Sequence, residues 1–255
     1  MTEKNIQIDR RLKMDNNYTT IQIGNTLKWD TPIMRYTSLL SLEQMLNLHF
    51  FVKERNQYDQ MDAHEKGVYT NKGYGFTFEL VECLNKNQKQ EKKKRSLLQM
   101  ENIEKSYSTL VSCWTLSQIE EEKMWVNKEV LIKTTIGKFI SSLDLNSISS
   151  IICDEVKYST SEQIKLTLQD FLFLKEGTCF AYEEELRLYI DSDLRNGNDI
   201  NGKENNKSAL LPLNGYTFID SIIFNSHLSE SQVVLKNDIL ANYPQITKLI
   251  KESNI

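Results

Sequence analysis

The sequence predicts an α+β fold, and three observations predict it. Short apolar, β-branched runs of strand length recur along the chain, helical apolar stripes lie between some of them, and the two kinds of segment do not alternate strictly. The expected architecture is a single domain with a split or mixed sheet around a cleft. With 255 residues the chain can bury roughly three-quarters of its unfolded surface, so it needs no disulfide or metal staple.

Composition narrows the classes. Nine Gly and three Pro exclude collagen-like and Pro-rich chains. The 31 basic residues against 35 acidic ones give a net charge of -4, which argues against a protein that coats polyanions with its whole surface. No apolar run approaches the roughly 18 residues of a membrane span. The first 17 residues, MTEKNIQIDRRLKMDNN, lack the apolar stretch of a signal peptide, so a cytoplasmic protein with no membrane partner is expected. Cys83, Cys113, Cys153 and Cys179 form no C-x-x-C and read as reduced, buried small hydrophobes.

The elements follow in order. Residues 1–30 are polar and read as a loosely attached arm, leaving 31–255 as the α+β domain. Ile33 to Tyr36 predicts a strand. The stripe Leu39, Leu42, Met45, Leu46 predicts a helix to about Leu48, capped by Ser38 or Ser41. His49 to Lys53 is a strand candidate, and a polar connection runs on to Lys72. Phe76 to Leu84 reads as helix or strand. The run Lys86 to Arg95 carries six basic residues, which suits a nucleic-acid contact but more simply a solvated helix face.

TLVSCWT is a buried strand by composition. Ser117 to Lys123 is an acidic helical turn ending in Met124-Trp125. EVLIKTT is a strand by alternation, and Thr135 caps a helix carrying Ile136, Phe139, Ile140 and Leu143. Ile148 to Tyr158 predicts one long strand, Ser161 to Leu174 a helix, and Tyr182 to Ile190 another strand. Residues 191–208 are Asn/Gly/charge-rich and read as a loop. A last strand, Tyr216 to Phe224, precedes two helical stretches.

The most informative segment for chemistry is Lys175 to Ile190. Period-two alternation puts Glu183, Glu185, Arg187 and Tyr189 on one strand face. Carboxylates two residues apart on such a face lie about 7 Å apart, close enough to engage one substrate together. One can stabilise a developing cation while the other activates an acceptor. The plainer reading is a half-exposed strand whose outer face carries solvated charges.

Lys175 followed by Tyr182-Glu183-x-Glu185-x-Arg187 resembles the hallmark of a widespread bacterial domain-of-unknown-function family. Further landmarks stand in the same order: Arg35-Tyr36 in MRYTS, the HFFVKERNQYDQMDAHEKG segment, VSCWTLS with Met124-Trp125, VLIKTTIGKF and EVKYS. The likeness covers about residues 33–240. Phe180 stands where that family's pattern has Trp, and no tyrosine follows Met124-Trp125. More distantly, Arg on an early strand, Ser on a middle strand and Glu-x-Glu on a late strand resemble the arginine–serine–glutamate layout of ADP-ribosyltransferases.

That resemblance implies an ADP-ribosyltransferase-like fold and an NAD-dependent transfer to a protein or nucleic-acid acceptor. A bacterial toxin or phage-defence effector held by an inhibitory antitoxin protein is the corresponding biology. It also implies roles. Glu185 holds the ribose and the developing oxocarbenium charge, and Glu183 orients the acceptor. Arg35 clamps the phosphate or ribose side of NAD, and Ser112 positions the catalytic carboxylate. Tyr36, Trp125 or Phe180 stacks on nicotinamide, and Lys175 contacts phosphate. Arg187 lies on the glutamate face, as a cofactor contact or a partner of the carboxylates. Core packing is the plainer reading of each aromatic, and Ser112-Cys113-Trp114 lacks the second hydroxyl of the motif. Two other classes stay open: a metal-dependent nuclease using Glu155 and Lys157, and a non-catalytic module that docks a partner on its acidic strand face.

Overall fold

A computed structural model describes residues 8–14, 17–54, 109–159, 172–176, 178–192 and 208–255. The basic run Lys86 to Arg95, the segment Phe76 to Leu84, the greater part of the helix expected over Ser161 to Leu174, and the loop within 193–207 lie outside the described residues.

Strands β1 (Ile8–Met14), β2 (Asn17–Ile23), β3 (Pro32–Thr37), β4 (His49–Glu54), β5 (Leu110–Thr115), β6 (Val130–Thr135), β7 (Ile148–Glu155), β10 (Glu185–Ser192), β11 (Ser208–Pro212), β12 (Ser221–Phe224) and β13 (Ile250–Lys251) form one mixed sheet. Its order is β1-β2-β7-β10-β5-β3-β6-β12-β13, with β4 joining β5 and β11 pairing β4. β2–β7 and β12–β13 are parallel and the other pairs antiparallel. A small parallel pair, β8 (Lys157–Ser159) and β9 (Leu174–Glu176), stands apart. The α+β class therefore holds, with strands predominating.

Among the described residues three α-helices cover one face. Helix α1 (Leu39–Leu46) starts at Ser38, whose hydroxyl accepts from the Ser41 amide, and buries the predicted stripe Leu39, Leu42, Met45 and Leu46. Thr135 caps α2 (Ile136–Ser142), as its position at the strand end predicts. Ser229 and Gln232 form a reciprocal capping box on α3 (Glu230–Asn242). These helices pack on Ile33, Trp114, Ile132, Leu186, Leu188 and Ile190 to make the main core. Two smaller apolar groups occupy the other face: Met34, Tyr36, Trp125, Leu131 and Ile223, and Val111, Leu172, Phe173 and Tyr189. Among the described residues no helix is long and apolar enough to cross a membrane.

Several expectations need correction. The polar stretch read as an arm supplies β1 and β2, and β2 buries Ile21 and Ile23 against β7. Alternation of small polar and apolar side chains suits a strand once a neighbour supplies its ladder. The strand expected over Ile148 to Tyr158 breaks at Val156, whose amide bonds to the Glu185 carbonyl, so the chain leaves the sheet there. The last strand is confined to Ser221–Phe224, because Tyr216 to Asp220 form turns. Of the described cysteines Cys153 is buried and free, Cys113 is partly buried and Cys179 is exposed. Cys179 therefore departs from the buried reading; it lies in the turn before the carboxylate pair, not in a strand.

Candidate functional site

β10 begins at Glu185, three residues later than its alternation suggests. Ala181–Glu183 form one 3₁₀ turn, and Glu184 adopts a left-handed conformation with φ 41°. Few non-glycine residues take that conformation. It turns the chain sharply between the two glutamates, so Glu183 stands on the turn and only Glu185, Arg187 and Tyr189 share the strand face.

That face is covered, not solvated. Arg187 donates to both Glu185 oxygens, Nε to Oε1 at 2.7 Å and Nη2 to Oε2 at 3.0 Å, in a bidentate pair. The Leu172 carbonyl accepts from Arg187 Nη1 at 3.3 Å and from the Tyr189 hydroxyl at 2.7 Å, so the segment before β9 closes over the strand. Lys175 completes the group, with Nζ 3.7 Å from Glu183 Oε2, 3.9 Å from Glu185 Oε2, and 4.7 Å from the Phe180 ring centroid. Two carboxylates and two cations thus neutralise one another. Access differs: the Glu183 side chain is 23% exposed and that of Glu185 is 7% exposed.

Tyr158 borders the group from β8. Burial, then the charges of Glu185 and Glu183, push its phenol far above the ordinary tyrosine range. Among the described residues its buried hydroxyl finds no regular hydrogen-bond partner, although the Glu185 main chain lies close.

Arg35 and Ser112 lie elsewhere. In the β5–β10 register Thr115 faces Glu185 and Ser112 faces Leu188, so Thr115 shares the carboxylate face while Ser112 and Trp114 share the helix-covered one. β3 pairs Met34 with Thr115, which sends Arg35 to the helix side as well. There Arg35 Nη1 donates to Ser112 Oγ at 2.6 Å, Trp114 Nε1 donates to the same oxygen at 2.8 Å, and the guanidinium lies over Phe50 and Trp114. Two expected contacts are corrected: Ser112 does not position the carboxylates, and Arg35 does not face them across a shared pocket. The hydroxyl on the carboxylate face is Thr115, buried and directly opposite Glu185. In the sequence Thr115 is the nearby hydroxyl, one residue off the position of the motif's second hydroxyl, and the even spacing of Glu185 and Arg187 carries no information about the register of β5 that brings Thr115 opposite Glu185.

Tyr36 and Trp125 do share the carboxylate face, packed edge to face with ring centroids 5.0 Å apart. The Tyr36 hydroxyl accepts from the Glu121 amide at 3.0 Å. Trp125, Lys123, Val126 and His227 line a cavity of about 440 Å³. The Lys123 ammonium lies 5.2 Å from the ring centroid of Tyr182, the residue before Glu183, and neither Glu183 nor Glu185 lines the cavity. The six residues Tyr36, Trp125, Lys175, Glu183, Glu185 and Arg187 are therefore brought to one face, and Arg35 with Ser112 to the other.

Of the nuclease candidates, Glu155 Oε1 accepts from Thr26 Oγ1 at 2.7 Å, and Lys157 follows beyond the break at Val156. Among the described residues no group of three or more His, Cys, Asp or Glu side chains is arranged to hold a metal ion. Comparison with protein-family models, with curated proteins and with solved structures returns no match to this chain.

Proposed function

We propose that the chain is an ADP-ribosyltransferase that consumes NAD, with its reacting centre at Glu183. The observation that carries this reading is a carboxylate pair of unequal exposure, Glu183 beside the buried Glu185, with a 440 Å³ cavity nearby whose lining residue Lys123 lies over the ring of Tyr182. Small-molecule sites combine such an apolar concavity with a few convergent polar groups. The three strands named by the transferase resemblance, β3, β5 and β10, lie side by side in the sheet, but Arg35 and Ser112 project from the face opposite Glu185, so the reading rests on the glutamates and not on the arginine–serine part of that layout.

The roles follow from access. Breaking the bond between the ribose C1′ and the nicotinamide nitrogen leaves positive charge on the ribose, and nicotinamide departs neutral. A carboxylate beside that carbon stabilises the charge. Glu183 has the exposure to do so, whereas both oxygens of Glu185 are occupied by Arg187. Glu185 is then a positioning residue: it shares Lys175 with Glu183 and so fixes the ammonium that orients the outer carboxylate. An acceptor nucleophile attacks C1′ and releases its proton to solvent or to Glu183. Arg35, held on the opposite face, has no part at the reacting carbon.

Incubating the full chain with NAD labelled in its nicotinamide ring tests the proposal. Release of free nicotinamide, with the ADP-ribose moiety passed to an acceptor or to water, supports it. A folded protein that releases none, with protein and nucleic-acid acceptors both supplied, overturns it.

The internal Glu185–Arg187 pair also favours a second reading, in which the charged group is structural and the chain is a binding module. In that case Glu183→Gln leaves every phenotype intact.

A further inference from the structure

The cavity of about 440 Å³ lies between three segments: the 3₁₀ turn Glu122–Trp125 with Val126, the turn after β12, and the stretch from Ser253 to Ile255. These walls are tied in place. Asn225 Nδ2 donates to the Lys128 carbonyl at 2.9 Å, and Ser253 Oγ donates to Glu120 Oε2 at 2.7 Å. The same buried carboxylate accepts from the Asn254 amide at 3.2 Å and from Asn254 Nδ2 at 3.0 Å. The hollow is thus built into the fold, and its size suits a small molecule.

Its lining sets the chemistry. Trp125, Val126 and Ile255 make the wall apolar, although Val126 is 67% exposed and Ile255 53%. Apolar side chains left open around a concavity mark a place for an apolar ligand. Glu122 and Lys123 contribute one charge of each sign, so the lining favours neither an anion nor a cation by charge. The Asn225 side chain is committed at both ends, since its Oδ1 accepts from the His227 amide at 2.9 Å.

One buried polar group is unmatched. Trp125 is buried, Tyr36 packs edge to face against it, and its Nε1–H has no acceptor among the described residues. A buried donor without an acceptor is costly and rare in a native fold. Trp114 shows the usual arrangement, its indole donating to Ser112 Oγ at 2.8 Å. A ligand oxygen would supply what Trp125 lacks. A neutral carbonyl would do so without carrying an unpaired charge into an apolar site.

We propose that this cavity binds a small uncharged apolar molecule whose carbonyl oxygen accepts from Trp125 Nε1–H, with its hydrocarbon body against Val126 and Ile255. The proposal goes beyond the transferase reading: no bond is made or broken in the cavity, and the carboxylate pair takes no part in it.

Proton–nitrogen correlation spectra of the isotope-labelled full chain, titrated with cyclohexyl methyl ketone, test it. The sequence has three tryptophans, and the Trp125 indole signal is the one that Trp125→Phe removes. That signal should move downfield and saturate, with half-saturation near about 1 mM, while those of Trp29 and Trp114 stay in place. Trp125→Phe keeps an aromatic wall without the N–H and should weaken the ketone about fivefold, read from the ligand's own resonances. Val126→Asn and Ile255→Ser alter exposed side chains and should each weaken it about threefold. Lys123→Gln should leave the affinity unchanged, and cyclohexanecarboxylate should bind more weakly than the ketone. The proposal is overturned if no indole signal moves saturably up to about 10 mM ketone, if the carboxylate binds as tightly, or if Val126→Asn and Ile255→Ser both bind as the parent does. If nicotinamide moves the Trp125 signal and the ketone does not, the cavity belongs to the transferase reading and this proposal falls. Nicotinamide release from NAD is a separate measurement, so each reading can fail alone.

Discussion

Glu185 and Arg187, two residues apart on β10, hold each other through two parallel N–H to oxygen bonds of 2.7 and 3.0 Å while both are buried. The carboxylate most readily taken from the sequence as catalytic is thus the one whose oxygens are occupied.

The first expectation concerns that pair. Glu185→Leu or Arg187→Met alone leaves an uncompensated buried charge and should cost about 3–5 kcal/mol. Replacing both by these apolar residues should cost clearly less than the two single losses summed. Chemical denaturation of the four proteins measures it. Additive losses would mean that the two side chains do not depend on each other.

Ser112 is the hub on the other face, taking hydrogen bonds from Arg35 and from Trp114 with no exposure of its own. Ser112→Ala strips a partner from a buried indole N–H and from a guanidinium, and should destabilise by about 1–3 kcal/mol. The same substitution should leave the Glu183 reaction rate within about twofold, since a step of that size is a small fraction of a kcal/mol. A large loss of rate in a protein of unchanged stability would return Ser112 to the carboxylate site.

Strand faces were legible within each element and not between elements. The alternation of Glu185, Arg187 and Tyr189, the α1 stripe and the caps Ser38 and Thr135 could all be read locally, because each depends on neighbours two to four residues away. Whether Ser112 or Thr115 meets Glu185 depends on the register of β5 against β10, which is set by packing some 70 residues apart in sequence. The left-handed Glu184 was hidden for a related reason: a glutamate at that position carries no turn signature of the kind that glycine or asparagine would supply. The strands at 8–14 and 17–23 escaped notice because few of their residues are apolar, and partners from elsewhere supply their ladder.

A close approach of chains sets the next expectation. A Cβ at Gly137 would overlap the Trp29 indole, while the Gly137 amide donates to the Trp29 carbonyl at 2.7 Å. Gly137→Ala should therefore destabilise by about 1–3 kcal/mol, despite the better helix propensity of alanine. A thermal melt above that of the parent protein would show that the indole moves aside freely.

Alkaline pH should unfold the protein in a way that Tyr158 controls. The folded state keeps this phenol protonated beyond the ordinary value of 10.0, as it does for Tyr36. The stabilising contribution is therefore whole below about pH 10, where both states are protonated, and is lost as pH rises further and the unfolded chain ionises first. Tyr158→Phe removes one such group and should flatten the decline in stability between about pH 9.5 and 11.5, read from denaturation midpoints. An unchanged slope would mean that the Tyr158 phenol titrates alike in both states.

Nicotinamide release by Glu183→Gln, compared with the parent protein at matched thermal stability, tests the central claim most directly. The account predicts a fall of at least about a hundredfold in release with a melting temperature little changed, because Glu183 is the more exposed member of the pair and its 3.7 Å contact with Lys175 is a long one. Release at the parent rate from a folded Glu183→Gln protein would contradict the account and leave the charged group as a structural device.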